Sequence, residues 1–307
     1  MASSMLVSVC VITYNSSKFI LETLDSIYNQ TYDNIQLIVS DDGSKDETAI
    51  IVKKWLLEKG GRFVDPLLLT VKSNTGTAAN CNRAFRAAKG EWIKDIAGDD
   101  VLLPDAIRKY VNFINNKQEI EWCLAKAIFY CDFISEKCVI TPPRKNLYED
   151  FKKLNNWDAN KQFEKMYLYN NLACPTHFYK RSVFENVGGF DEKWGILEDY
   201  PMSLTLLRSG VKCFFVDEYV MGYRYGESNV SANKCRILNK KMKVLEFEIK
   251  KSLIFDRCPK VVRAHAYVIY MINMLFSLPI LNKRTTLRYT IYRMLISITN
   301  RSTICLL

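Results

Sequence analysis

Along the first hundred residues, short apolar, β-branched runs alternate with segments whose apolar positions recur at helical spacing. Residues 7–13 form such a run and predict a buried strand. Ser16 or Ser17 stands where a helix cap belongs, ahead of Phe19, Ile20, Leu24, Ile27 and Tyr28. Residues 35–40 predict a second strand ending in Asp41-Asp42-Gly43-Ser44, and 48–57 a helix closed by Gly60-Gly61. A third strand is expected over 66–72, a helix over 80–89 stopped by Gly90, and a fourth strand over 91–97 running into Gly98-Asp99-Asp100. Strands separated by helices make βαβ units. The expectation is an α/β chain with a mostly parallel sheet covered by helices on both faces.

The pattern loosens in the middle. Residues 141–160 read as a surface loop joined to a helical stretch, 176–179 as a short strand, and 182–186 as a brief helix before Gly188-Gly189. A helix over 200–209 and a strand over 212–216 follow. Residues 240–255 then carry an apolar stripe (Val244, Leu245, Ile249, Leu253) with lysines on the other side. The apolar run 264–281 contains His265, Asn273 and Pro279 and falls short of the roughly 20 residues a spanning helix needs. Arg284, Arg288 and Arg293 alternate with Leu287, Ile291, Leu295 and Ile296, a basic amphipathic pattern. It suits an anionic membrane interface or, equally, a helical cap packed on the preceding domain.

Charge sharpens that division. Of the 43 lysines and arginines, 15 lie between Lys234 and Leu307, against 3 of the 33 acids. This stretch therefore carries +12, and the rest of the chain −2, of the net +10. The basicity belongs to an extension, so the pI does not make the chain a nucleic-acid binder. The expected domains are 1–230 and a basic helical extension, 231–307. Ten cysteines without a CxxC pair, and only His177 and His265 beside them, exclude a zinc site or a small disulfide scaffold and predict reduced thiols in a cytoplasmic protein. The N-terminal apolar run has no basic region ahead of it and reads as a strand, not a signal peptide.

The chemistry gathers at predicted strand ends, where open α/β sheets bind ligands. Two strands end in Asp-Asp, Asp41-Asp42 and Asp99-Asp100. Converging like charges need a cation or donor groups, and a hard divalent ion sharing phosphate oxygens meets that need. Asp-Asp-Gly-Ser is also good turn chemistry. Neither GxGxxG nor GxxxxGK[ST] occurs, so the usual dinucleotide and P-loop cradles are absent. The first strand instead ends in Thr13-Tyr14-Asn15; Tyr14 can stack on a base, and Asp42 can accept from a uracil-like imide N–H.

The strings VSVCVITYN, IVSDDGSKD, NTGTAANCNRA, GEWIKDIAGDDVLLPD, VGGFDE and LEDYPMSLTLLRSG stand in the order seen in family 2 glycosyltransferases, and the chain resembles that family over roughly residues 6–230. The resemblance implies a GT-A fold, a Rossmann-like sheet with a C-terminal helical extension. It implies that Thr13, Tyr14 and Asp42 hold the nucleoside and that Asp99 and Asp100 stand at the DxD position, meeting ribose, diphosphate and Mg²⁺ or Mn²⁺. Asp199 falls where the family keeps its general base, with Glu198 as an acceptor-side neighbour. Gly76 and Asn82 occupy the family's NxG…N positions on the donor side. Arg224 is placed to clamp the diphosphate or is an ordinary surface arginine; His177 lies at the acceptor side or in the core. Many members read Asp-x-Asp-Asp where this chain has Ala97-Gly98-Asp99-Asp100, and Asp95 shares the strand side of the lost acid, as a substitute or in a salt bridge.

The implied activity is inverting, metal-dependent transfer from a nucleotide-sugar, a UDP-sugar first, to a saccharide or lipid-linked saccharide. The implied role is surface polysaccharide assembly (capsule, exopolysaccharide or O-antigen), in the cytoplasm or peripherally at the inner membrane face, with no nucleic-acid partner. A sugar-phosphate nucleotidyltransferase would need a Gly-rich basic loop after the first strand, and Thr13–Ser17 offers none. The alternative is a non-catalytic sugar- or membrane-binding protein on a degenerate GT-A domain, which the missing acid at Ala97 favours.

Overall fold

The computed structural model describes residues 5–304 except 116, 131–138, 141–146, 169, 171, 173–174, 196 and 226–235. The expected domain boundary at 230/231, part of the 141–160 loop, and Cys131, Cys138, Cys174, Cys235 and Cys305 therefore lie outside the described residues. The first half follows the predicted alternation: β1 (Val7–Thr13), α1 (Ile20–Tyr28), β2 (Ile35–Asp41), α2 (Thr48–Lys59), β3 (Val64–Thr70), α3 (Thr77–Arg86) and β4 (Trp92–Ala97). β2, β1 and β4 pair in parallel, with β3 parallel at the edge of β2. Every residue of β2 is buried, as a strand covered on both faces requires. Val7, Val9 and Val11 enter one apolar cluster and Cys10 the other, the period of two that places one residue in each layer.

Three details differ from expectation. α1 begins at Ile20 without a side-chain cap; the Ser16 carbonyl accepts from the N–H groups of Phe19 and Ile20, and Ser17 donates its N–H to Asp46. β3 starts at Val64, so Pro66 sits inside it. An edge strand tolerates a missing N–H. α3 begins at Thr77 because Gly76, at φ +96°, turns the chain into it.

The second half adds β5 (Val101–Leu102), α4 (Ala106–Ile114), β6 (Trp122–Tyr130), β7 (Val139–Ile140), α5 (Leu147–Lys152), α6 (Ala159–Lys165), β8 (Phe178–Lys180), α7 (Arg181–Val187), α8 (Asp199–Arg208) and β9 (Phe214–Arg224). The sheet order is β3-β2-β1-β4-β8-β6-β9-β5, with β7 on β6. Long registers are parallel; the antiparallel pairs at β8, β5 and β7 span only two or three residues. The strand expected over 212–216 runs on to Arg224. Asp217–Tyr219 are exposed at a register shift against β6, after which Val220–Gly222 are buried again. That bulge carries β9 past the acidic end of β4.

Four more helices follow: α9 (Lys240–Leu253), α10 (Lys260–Phe276), α11 (Pro279–Asn282) and α12 (Thr286–Ile304). Ile249, Ile254, Cys258 and Val262 join the cluster containing α8, so the extension packs on the sheet domain through α9 and the start of α10. Pro279 opens α11 and splits the apolar run. Among the described residues no helix is long and apolar enough to cross a membrane. The described cysteines Cys10, Cys81, Cys123, Cys213 and Cys258 are buried thiols.

Candidate active site

The parallel strands deliver their C-terminal ends to one edge, and the acids collect there. Asp42 follows β2. Its Oδ2 accepts from the N–H groups of Thr75 (2.9 Å) and Gly76 (2.8 Å), and its Oδ1 from Thr75 Oγ1 (2.5 Å) and Arg83 Nη2 (3.2 Å). These four donors match the four lone-pair sites of a carboxylate. Asp42 therefore pins the Thr75–Gly76 turn, and a nucleobase donor would have to displace one of them. Asp41 is likewise tied to Ser44.

Thr13 ends β1. Its carbonyl accepts from Asp42 N–H (3.0 Å) and Asn80 Nδ2 (3.2 Å), while its hydroxyl is buried without a partner. A Cβ on Gly98 would come within 2.7 Å of that hydroxyl, so glycine alone lets the β4 end lie against β1. Tyr14 beside it is 44% exposed, a free aromatic face next to an orphan hydroxyl. Asn82 lies elsewhere: its amide donates to Phe190 O and Glu192 Oε1 and accepts from Phe190 N–H, tying α3 to the loop after α7. The structural reading accounts for every hydrogen bond it makes.

Asp99 and Asp100 follow β4. Asp100 is buried; its Oδ1 accepts the Arg224 N–H (2.8 Å), and its carbonyl accepts from Thr23 Oγ1 (2.7 Å). Burial and the neighbouring Asp99 charge push the Asp100 carboxyl well above its ordinary range, against the pull of Arg224 and Lys94. Burial also raises Asp99. Arg224 lies beneath the pair, 2% exposed. Its Nε donates to Asp99 O (2.8 Å), its Nη2 meets Glu22 Oε2 (2.5 Å), and its guanidinium lies 4.1 Å from the Phe19 ring centroid. It is neither a surface arginine nor a clamp presented to solvent. It braces the acidic turn.

The second acidic group surrounds the start of α8. Burial, then the charges of Asp199 and Asp95, pushes Glu198 up to about 8. Burial raises Asp199 too, opposed by the N–H of Tyr200 and its own N–H and by a hydrogen bond from Asn170. Asp95 is raised by burial, with buried Lys94 pulling the other way. Asp95 sits four residues before Asp99, at most ~13 Å along an extended strand. It belongs with Glu198 and Asp199 and does not replace the acid missing at Ala97. Lys94 donates to the carbonyls of Asp95 and Pro175, and its charge bears on both acidic groups.

His177 is a core residue. Its Nδ1 accepts from Trp122 Nε1 (3.0 Å), it stacks on Tyr179, and burial together with Lys94 takes its pKa down to about 3, so it is a neutral imidazole with Nε2 unpartnered. Lys94, Asn170, Glu22 and Arg83 escaped the sequence reading. Lys94 alone left a signal, a lysine among apolar residues in Trp92–Ala97; the others depend on contacts between distant segments.

No group of three or more His, Cys, Asp or Glu side chains that could hold a metal ion occurs among the described residues. Asp99 and Asp100 still fit a hard divalent ion, because their raised carboxyls are two adjacent charges without full compensation. Such an ion commonly takes one or two carboxylates and completes its shell with phosphate and water.

A model of glycosyl transferase family 2 matches residues 8–188. The chain is 28% identical over 247 residues to the Escherichia coli UDP-Glc:alpha-D-GlcNAc-diphosphoundecaprenol beta-1,3-glucosyltransferase WfaP, covering 78% of this chain and 86% of that protein. The fold resembles the mannosyltransferase PcManGT of Pyrobaculum calidifontis, solved with GDP-Man and Mn²⁺, at TM-score 0.62 and 19% identity over 99% of this chain and 79% of that one. It also resembles S. aureus TarS 1–349 with UDP-GlcNAc at TM-score 0.61 and 18% identity, covering 89% and 73%. The two structural likenesses show the fold, an α/β GT-A domain.

Proposed function

The chain belongs to glycosyl transferase family 2, and from that premise we propose that it moves a sugar, with inversion, from a UDP-sugar to a saccharide on a lipid carrier during surface polysaccharide assembly. The observation that carries this reading is a pair of acidic groups, Asp99-Asp100 after β4, braced by Arg224, and Glu198-Asp199, half-buried at the start of α8. Thr13 and Tyr14 take the nucleoside, with the Gly76 turn held in place by Asp42. Asp99 and Asp100 hold Mg²⁺ or Mn²⁺, and such an ion, when bound, offsets charge on the leaving diphosphate. Arg224 positions both acids through the Asp99 carbonyl and the Asp100 carboxylate.

Asp199 takes the proton from the acceptor hydroxyl. The hydroxyl oxygen bonds to the anomeric carbon from the face opposite the diphosphate, and the departing C–O electron pair goes to the diphosphate oxygen. Glu198, whose carboxyl is pushed up to about 8, hydrogen-bonds the acceptor. The extension rests its exposed face against the inner surface of a membrane, in keeping with the acceptor that the relative from E. coli uses by name.

Nucleotide release from a panel of nucleotide-sugars, with and without Mn²⁺ or Mg²⁺, tests the proposal. Release of one nucleotide that requires the cation, lost in Asp199→Asn while donor binding persists, is the expected result. Donor binding with no release from any sugar, even with membrane extract as acceptor, would overturn it in favour of a non-catalytic domain.

A further inference from the structure

The first turn of α1 meets the acidic turn after β4 through two successive residues. Thr23 Oγ1 donates to the Asp100 carbonyl (2.7 Å). Glu22, one residue earlier, does not touch the turn itself. Its Oε2 pairs with Arg224 Nη2 at 2.5 Å, joining α1 to the end of β9. The Arg224 side chain is buried, whereas Glu22 is 43% exposed, so the counter-charge of a buried cation lies at the surface.

The remaining neighbours fix the direction of the guanidinium. Phe19 and Tyr130 hold their ring centroids 4.1 Å and 5.1 Å from it. Tyr130 ends β6 in register with Arg224, and its ring fits there because residue 222 is glycine: a Cβ would come within 2.7 Å of Tyr130 Cε1. Aromatic faces attract a cation without offering it a hydrogen-bonding carboxylate. Glu22 supplies that carboxylate. Asp99 and Asp100 feel the guanidinium through its charge, while the hydrogen bonds of Arg224 go to the Asp99 carbonyl from Nε and to Asp100 Oδ1 from the backbone N–H.

A buried guanidinium that loses its counter-charge is costly, and planar pairing with another carboxylate is its favoured remedy. The acids already within reach of its charge are Asp99 and Asp100. Pairing with them would neutralise the carboxylates that a divalent cation needs and set a positive charge beside its place. We infer that Glu22 is a positioning residue of the cation site: it draws the Arg224 guanidinium away from the Asp99 and Asp100 carboxylates and keeps them open to the ion. Arg224 can then brace the acidic turn without competing for it. This role for Glu22 deepens the transferase reading and rests on it for the cation.

Titration of the full chain with Mn²⁺, the free ion followed by its electron paramagnetic resonance signal, tests this without donor or turnover. Wild type should hold an ion that Asp100→Asn releases. Glu22→Gln should weaken that ion about tenfold, the scale of a lost outer-shell partner, with the melting temperature close to wild type. Glu22→Asp keeps the charge but withdraws it by one methylene, and should weaken the ion severalfold. In an Arg224→Gln background, Glu22→Gln should change nothing further, since Glu22 acts through the guanidinium. Unchanged affinity in Glu22→Gln overturns the role. So does a loss in Glu22→Gln with none in Glu22→Asp, or a loss that persists without Arg224, because either means that Glu22 attracts the ion by its own charge. Where Arg224→Gln fails to fold, the comparison of Glu22→Gln with Glu22→Asp decides. A wild type with no Mn²⁺ site sensitive to Asp100→Asn removes the cation from the transferase reading and the role of Glu22 with it. A site that is present but indifferent to Glu22 removes only the role of Glu22.

Discussion

Asp99-Asp100 after β4 and Glu198-Asp199 at the start of α8 are both acidic pairs raised by burial, yet their surroundings differ. The first is held by a cation and backbone N–H donors: Arg224 touches both residues, and its own charge is shared with Glu22. The second feels the further negative charge of Asp95, and its donors are backbone N–H groups and Asn170. Burial raises both pairs, but only the first has a rigid charged brace. The braced pair is fixed in place and, with Asp100 raised well above its ordinary range, suits taking up a cation in exchange for protons. An unbraced pair suits a proton that must come and go. The difference teaches that acid-rich strand ends acquire their roles from what is packed beneath them.

The largest expected effect that would sharpen this contrast is in Asp199→Asn. Turnover should fall by about 10²–10⁴-fold with donor affinity retained, measured by nucleotide release and equilibrium binding. Asp100→Asn should act on the other side: donor affinity in Mn²⁺ should drop by roughly tenfold or more, one of two carboxylates being lost, while affinity in EDTA changes little. Equal effects of the two substitutions on binding and turnover would break the division of labour.

Arg224→Gln should cost about 2 kcal/mol in chemical denaturation, the scale of a lost charge-assisted hydrogen bond. It should weaken Mn²⁺-dependent donor binding without moving the pH profile, because it acts through the acidic turn and not through Asp199.

Glu198→Gln gives the smallest effect and the most diagnostic sign. Turnover needs Asp199 ionised, so it should rise with pH, and Glu198, uncharged until the pH approaches about 8, is already neutral over that rise, so the substitution should leave it in place. Folding stability moves as well. The Glu198 carboxyl is raised from 4.5 to about 8 in the folded chain, so its cost is absent below pH 4.5 and grows as pH climbs to about 8. The variant should therefore match wild type in acid and exceed it above pH 8, by on the order of 2 kcal/mol in a denaturant titration. A rise that moves to lower pH would mean that Glu198 is charged while Asp199 titrates.

The βαβ half was legible because its strands are buried on both faces and its helices carry ordinary apolar stripes; β1 and α2 begin where the residue pattern places them. β6 and α4 went unread, and β9 was cut short at Val216, because Asp217-Glu218 look like a strand end and are instead an exposed bulge. For the site, motif order picked out Asp99, Asp100 and Asp199 as candidates. It misplaced Asn82 and Arg224 in space, since which neighbours accept their hydrogen bonds depends on loops and strands more than 100 residues away.

The sequence by itself determined the layer order, the family, and the positions of the acids at strand ends, because hydrophobic period and local turn chemistry act over a few residues. Tertiary structure alone decided which acids Arg224 braces and which it does not, that His177 is a core imidazole, and that His265 and Asn273 of α10 are buried. Those outcomes rest on desolvation and on partners brought together from distant segments, and no local pattern encodes either.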